Sequence, residues 1–464
     1  MSRPAAGDPN LAIETAATVC PAASPLLERQ AAAVLFRGPG SELTAARLLA
    51  CARELASRLP ASANIINVCQ DRFDFTVALL AALSIGRAVL LPANRHPATV
   101  QALLDLEHHA CLVHDEDAVP DVKAAHLIRA VSLRTGIVEE SPVPLIADHQ
   151  LCVIAFTSGS TGIPKANPKP WQTLRDCARI NGERVFGGLG DGATVVATVP
   201  PQHMYGLETS ILAPMFLPLS VYASRPFYPA DIAAALEAVA APRILVTTPI
   251  HLRALLEAGL RLPEVARVIS ATAPLAPGLA RSAEESFAAE VLELYGCTET
   301  GCLASRRCAL DEPWQLFPQF SLEPGAGPAV VSAAHLAEAV ELNDVLEVSS
   351  EGRFRIVGRS SDLLNVAGMR GSLAQLTMQL LAVPGVRDGV VFVPDSGRDA
   401  EVGRVAAFVV TDRPVRAVLG ELARLVHPVF LPRPLLAVSQ LPRLETGKLD
   451  HEAISRLWAA RRSR

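Results

Sequence analysis

Past Glu42 the chain settles into a repeated alternation between segments with helical spacing of apolar residues and short, almost uninterrupted apolar runs. Leu43 to Leu59 reads as a helix, Asn64 to Cys69 as a strand, Phe73 to Ile85 as a helix and Ala88 to Pro92 as a strand. The rhythm returns in Thr194 to Val199, Arg243 to Thr247, Arg267 to Ala271 and Val291 to Tyr295, with helical stretches such as Ala230 to Val239 between them. Strands that are apolar on both faces are strands covered on both faces, and helices between them make parallel pairing the natural arrangement. The alternation therefore predicts an α/β fold whose parallel-rich sheets are sandwiched by helices.

A chain of 464 residues exceeds what a single core usually organises. After Glu323 the pattern changes: Gly325, Gly327 and Pro328 punctuate it, and Val345 to Val348 with Arg353 to Val357 read as a hairpin in a β-rich subdomain. Beyond Gly358 the segments Leu373 to Leu381, Gly389 to Pro394, Arg404 to Val410 and Arg416 to His427 suggest a compact α+β unit. The expected organisation is a large N-terminal domain, residues 1–359, and a small mobile C-terminal domain, residues 360–464, joined by a hinge.

The charge balance narrows the partners. A formal net charge of −5, with a dense basic cluster only at Arg461, Arg462 and Arg464, disfavours nucleic acid. The apolar stretches Phe75 to Ala93 and Ile211 to Ala223 are broken by Gly86 and Arg87 or by Pro214 and Pro218, so no membrane span is expected. Nine cysteines scattered from Cys20 to Cys308 show no paired spacing, which suits a reducing, cytoplasmic setting.

Chemistry concentrates in the stretch from Phe156 to Lys165, which holds Thr157, Ser158, Gly159, Ser160, Thr161 and Gly162 and follows the expected strand Leu151 to Ala155. Small residues let backbone N–H groups approach a polyphosphate, hydroxyls add donors, and Lys165 supplies opposite charge. The ending of a Walker A loop is absent. On its own such a loop is equally a flexible connection, so further segments must corroborate it.

They do so by resemblance. The stretch resembles the signature loop of the adenylate-forming enzymes, a superfamily of acyl-CoA synthetases, peptide-synthetase adenylation domains and luciferases. Four more segments match in the family's order: Pro200 to Gly206, similar to the acyl-pocket segment; Tyr295-Gly296-Cys297-Thr298-Glu299, similar to the nucleotide and magnesium motif; Asn343-Asp344 with Gly358-Arg359, similar to the ribose pair; and Leu441-Pro442-Arg443 to Gly447-Lys448, similar to the C-terminal lysine loop. The resemblance implies ATP and Mg²⁺ as cofactors, with CoA or a phosphopantetheine arm as acyl acceptor. It implies activation of a carboxylic acid as an acyl-adenylate, with release of pyrophosphate, before thioester formation.

Each implied role has a physical reason. Negative charge gathers on both sides of the transferred group, so cations must meet it. Glu299 is a hard-oxygen ligand suited to Mg²⁺, and Thr298 can donate to a phosphate oxygen. Asp344 can accept both ribose hydroxyls, Arg359 can hold ribose or phosphate, and the Lys448 ammonium can offset the repulsion between carboxylate and phosphate. His203, Met204, Tyr205, Gly206, Ser270 and Pro274 are expected to line the acid pocket, with His203 beside the incoming carboxylate. Bland alternatives stand beside each: a surface carboxylate for Glu299, a turn residue for Asp344, an interdomain ion pair for Arg359, a solvated loop lysine for Lys448 and a structural histidine for His203.

The sequence departs from the family pattern in three places. Ser361 stands where an acidic or lysine hinge is usual; Ala271-Thr272-Ala273 replaces a Gly-Gly-Ala on the adenine side; and the chain is short at its N-terminal edge. A second face for thioester formation would centre on Gly368 and Arg370. No Asp follows Gln202 to pair the ammonium of an α-amino acid, although Glu208 is near. The segment from Pro200, with the Trp314 region, also resembles ligases of aryl-polyene and xanthomonadin-type pigment pathways. That implies a hydroxybenzoate-like acid loaded onto an acyl carrier protein. A medium-chain fatty acid with free CoA, a luciferase-like oxidoreductase and a silent nucleotide-binding scaffold remain as alternatives.

Overall fold

The structure is a computed structural model and describes residues 22–60, 63–116, 121–124, 126–130, 142–157, 165–189, 192–323, 328–349, 352–359, 362–366, 369–394, 405–444 and 447–462. The expected alternation is realised with ends shifted by no more than two residues. The helix Ala45–Arg58 starts at Thr44, whose hydroxyl accepts the Arg47 amide. The helix Arg72–Ser84 starts at Asp71, whose carboxylate accepts from Phe73 and Asp74. Each side chain satisfies a helix-end amide that otherwise has no partner.

Two large sheets result. The six-stranded sheet runs Lys165–Pro170, Leu151–Thr157, Val89–Leu91, Ile65–Asn67, Cys111–His114, His126–Arg129. Only its first pair is antiparallel, with Thr157 opposite Lys165. The eleven-stranded sheet has parallel pairing through Glu290–Cys297, Arg267–Ser270, Arg243–Thr247, Thr194–Ala197, Ser220–Tyr222 and Val34–Gly38. Antiparallel strands finish both its edges, and the hairpin expected after Glu323, Asp344–Val348 with Arg353–Arg359, extends one of them instead of standing apart. A small separate sheet is formed by Phe320–Glu323, Val330–Ala333 and Val340–Glu341. Helix Leu373–Leu381 and strands Val386–Phe392, Ala406–Thr411 and Leu435–Ala437 build the C-terminal part. One hydrophobic core draws on residues from Leu26 to Ile356, whereas another lies wholly between Leu364 and Leu435. The junction proposed at residues 359–361 falls between those two cores. Among the described residues no helix is long and apolar enough to cross a membrane.

Candidate active site

Four adjacent parallel strands deliver the candidate segments to one edge. Thr194–Ala197, Arg243–Thr247, Arg267–Ser270 and Glu290–Cys297 neighbour one another in that order. All four therefore point their C-terminal ends the same way. From those ends issue, respectively, the Pro200 to Gly206 segment, the helix Pro249–Glu257, the Ala271 to Pro274 turn and Thr298-Glu299. Ligands of open parallel sheets bind outside the carboxyl ends of strands, and the sequence segments singled out above converge there.

On the acid side, His203 caps the short helix Met204–Leu207, accepting the Tyr205 amide on Nδ1 at 3.3 Å. Met204, Tyr205 and Gly206 are buried, and the Tyr205 hydroxyl donates to the Thr247 and Ile269 carbonyls at 3.2 and 2.9 Å, tying this helix to two neighbouring strands. Ser270 is fully buried, and among the described residues neither its hydroxyl nor the Gln202 Oε1 has a hydrogen-bond partner. Pro274 is exposed. Glu208 lies on the side of helix Trp171–Arg184: its Oε2 accepts from Asn181 Nδ2 at 3.0 Å and from the Cys302 amide at 3.1 Å.

On the nucleotide side, the Tyr295 hydroxyl donates to Asp344 Oδ2 at 2.7 Å, and its ring packs against Trp314 and Phe354, with centroids 5.5 and 5.8 Å away. Asp344 is the register partner of Arg359, so the expected ribose pair shares one rung of a hairpin. Ala271 is buried, and Thr272 carries a φ of 79° with Ala273 after it. A β-branched residue is an outlier in that left-handed region, so the backbone keeps a path suited to glycine although the glycine is missing. Gly296 and Cys297 close the strand, and Thr298 opens the turn that carries Glu299.

Glu299 is half-buried, and Lys165 Nζ meets its Oε1 at 2.8 Å. Burial pushes this carboxyl up, but the hydrogen bond and charge of Lys165 outweigh it and hold it below the usual carboxylate range. An ionised single carboxylate fits Mg²⁺, which takes one or two carboxylates and completes its shell with phosphate and water oxygens. The same strand sends a second, unanticipated lysine: Lys169 is buried and its Nζ donates to the Glu299 carbonyl.

The lysine loop reaches this edge from the C-terminal part. Gly447, with a φ of 80°, lies against the start of helix Pro249–Glu257, where an added Cβ would sit 3.2 Å from both Thr248 Oγ1 and Ile250 Cγ2. Arg443 holds the loop, donating through Nε and Nη2 to Asp388 at 3.0 and 2.7 Å and through Nη1 to the Gly447 carbonyl at 2.7 Å. Burial first, and the positive charge of Lys448 second, together lower the His203 imidazole to about 3. That coupling places the ammonium within electrostatic reach of the histidine in the expected acid pocket. Neutral at physiological pH, His203 can accept or donate a hydrogen bond without repelling Lys448.

Ser158, Gly159, Ser160, Thr161, Gly162, Ser361 and Gly368 lie outside the described residues, as do the side chains of Arg359 and Arg370. Thr157, Lys165, Ala271, Thr272, Ala273, Tyr295, Gly296, Thr298, Glu299, Asp344, His203 and Lys448 all fall along the strand ends or the loops facing them. Asp388, Thr248 and Lys169 are additions from the structure, as is the partner of Arg443, a residue the sequence named only as part of the lysine loop.

The profile of the AMP-binding enzyme family matches residues 26–338, two thirds of the sequence. The chain belongs to that family. A 4-coumarate–CoA ligase of Rhodobacter capsulatus is 33% identical over 233 residues, covering 50% of this chain and 57% of that protein, little more than half its length. A 3,4-dihydroxybenzoate–[aryl-carrier protein] ligase of Bacillus anthracis is 22% identical over 317 residues, 65% of this chain and 73% of that one. The fold matches the crystal structure of an anthranilate CoA ligase in complex with anthranoyl-AMP, with a TM-score of 0.78 at 16% identity over 93% of this chain and 96% of the other. In class the protein is an AMP-forming ligase, and its fold is the α/β architecture of such ligases.

Proposed function

We propose that this ligase activates an aryl acid, such as a hydroxybenzoate, as its adenylate and loads it onto the phosphopantetheine arm of an acyl carrier protein, within a pathway of the aryl-polyene pigment kind. The observation that carries the reading is the convergence of the Lys448 charge on His203 while Glu299, ionised beside Lys165, stands at the end of another parallel strand of the same sheet. In that arrangement Mg²⁺ would lie on Glu299 and neutralise phosphate charge. Lys448 offsets the repulsion between carboxylate and α-phosphate, and Tyr295, Asp344 and Arg359 orient the nucleoside. Coumarate, dihydroxybenzoate and anthranilate in the names of the similar proteins support a planar acid, and the buried Met204 and Tyr205 support an apolar slot. Glu208, engaged by Asn181 and Cys302, supports a substrate without an α-ammonium. Free CoA is a second acceptor reading, favoured by the likeness to the 4-coumarate–CoA ligase.

The test is acid-dependent ATP–pyrophosphate exchange with Mg²⁺ over aryl and aliphatic acids, followed by mass measurement of CoA and carrier-protein products. Lys448→Ala is expected to lower exchange by about 10²–10³, the usual loss for a contact made in the transition state. Absence of exchange with every acid would rule the reading out.

A further inference from the structure

Strand Lys165–Pro170 alternates its faces, so Lys165, Asn167 and Lys169 share one. Both lysines of that face meet Glu299: Lys165 takes its carboxylate and Lys169 its main-chain carbonyl, at 2.8 and 2.5 Å. Lys169 is only 4% exposed, and an ammonium in such a place is costly unless something uses or compensates it. Burial lowers its ordinary value, while Cys177, Glu208, Cys297 and Glu299 oppose that shift. Glu208 is likewise buried, at 2% exposure, and burial raises it. Its Oε2 grips the Cys302 amide, and among the described residues its Oε1 has no hydrogen-bond partner. Between the two gripped groups lies the turn Glu299 to Gly301. Gly301, with a φ of 72°, is pressed onto this cluster, since an added Cβ would stand 2.5 Å from Glu208 Oε1 and 3.3 Å from Cys177 Sγ.

We propose that Lys169 and Glu208 are positioning residues for Glu299. They clamp the carbonyl at one end and the amide at the other end of the turn that carries it, so that its carboxylate faces the metal and phosphates at a fixed height. This inference rests on the reading of Glu299 as the Mg²⁺ carboxylate. Groups that orient a metal ligand from behind typically change metal affinity or activity by about 10–100-fold when removed.

The experiment measures ATP–pyrophosphate exchange against total Mg²⁺ in the wild type, Lys169→Met, Glu208→Gln and the double variant, with thiolysis of a synthetic acyl-adenylate as a second readout. The expected result is half-activation at a Mg²⁺ concentration about 10–100-fold higher, with an unchanged KM for the acid, unchanged thiolysis, and rate recovered at high Mg²⁺. The double variant removes both buried charges together and serves where a single one destabilises the fold. Wild-type Mg²⁺ dependence in folded variants overturns the inference, as does equal loss of exchange and thiolysis at every Mg²⁺ concentration. Absence of Mg²⁺-dependent exchange in the wild type would instead overturn the ligase reading itself.

Discussion

Gly447→Ala tests the docking of the lysine loop through its backbone rather than its charge. At a φ of 80° an L side chain is disfavoured by about 1–2 kcal/mol. The new Cβ would also press on Thr248 Oγ1 and Ile250 Cγ2 at 3.2 Å, closer than ordinary carbon contact near 3.5–4.0 Å. The contact penalty applies when the loop sits against the helix Pro249–Glu257 and is relieved when it swings away, while the φ penalty weakens the loop conformation that Arg443 holds, so both act against the docked geometry. A total of about 2 kcal/mol corresponds to a fall of about thirty-fold in adenylation. The assay is single-turnover formation of the acyl-adenylate, with thiolysis of a synthetic adenylate measured in parallel. Adenylation should fall while thiolysis holds. A variant with normal thermal stability and wild-type adenylation would refute the argument, because it would mean that the contact with Thr248 carries no weight in the first half-reaction.

Asp388→Asn removes the charge that holds Arg443, and so loosens the guanidinium that grips the Gly447 carbonyl. Hydrogen bonds between charged groups contribute about 1.5–3 kcal/mol, so adenylation should slow by about ten-fold, read in the same single-turnover assay. His203, lowered to about 3 when folded, lies below its ordinary value near 6.5. The unfolded chain therefore binds the extra proton first as pH falls. The stabilisation is complete above about pH 6.5 and is lost on the way down to about pH 3, roughly 2 kcal/mol of it between pH 7 and pH 5. Thermal melts from pH 7 to pH 5 should show a shallower loss in His203→Gln than in the wild type; parallel curves would refute the assignment.

How much of this was legible in the sequence depends on the range over which each feature is encoded. Arg243 to Thr247 is a strand with the bounds read from its apolar run, because a strand buried on both faces writes its whole length in apolar residues. The hairpin Asp344–Val348 with Arg353–Arg359 was legible as a hairpin, but its docking onto Trp314–Leu316 was not: edge pairing is a long-range choice that period and turn chemistry leave open. The Ala271-Thr272-Ala273 departure is one of residues and leaves the backbone path intact, since Thr272 takes the left-handed conformation itself. Lys169 was missed because a lysine between two prolines reads as surface. The signal was its parity with Lys165 and Asn167, which puts three polar side chains on one face of a strand whose partner Leu151–Thr157 is largely buried. Lys165 stays exposed, but burying Lys169 on the same face has a cost, and here the carbonyl of Glu299 offsets it. The same reasoning gives Arg443 its place. A cation six residues after the strand Leu435–Ala437 looked like part of a motif, but its partner Asp388 lies 55 positions away and only the fold brings them together.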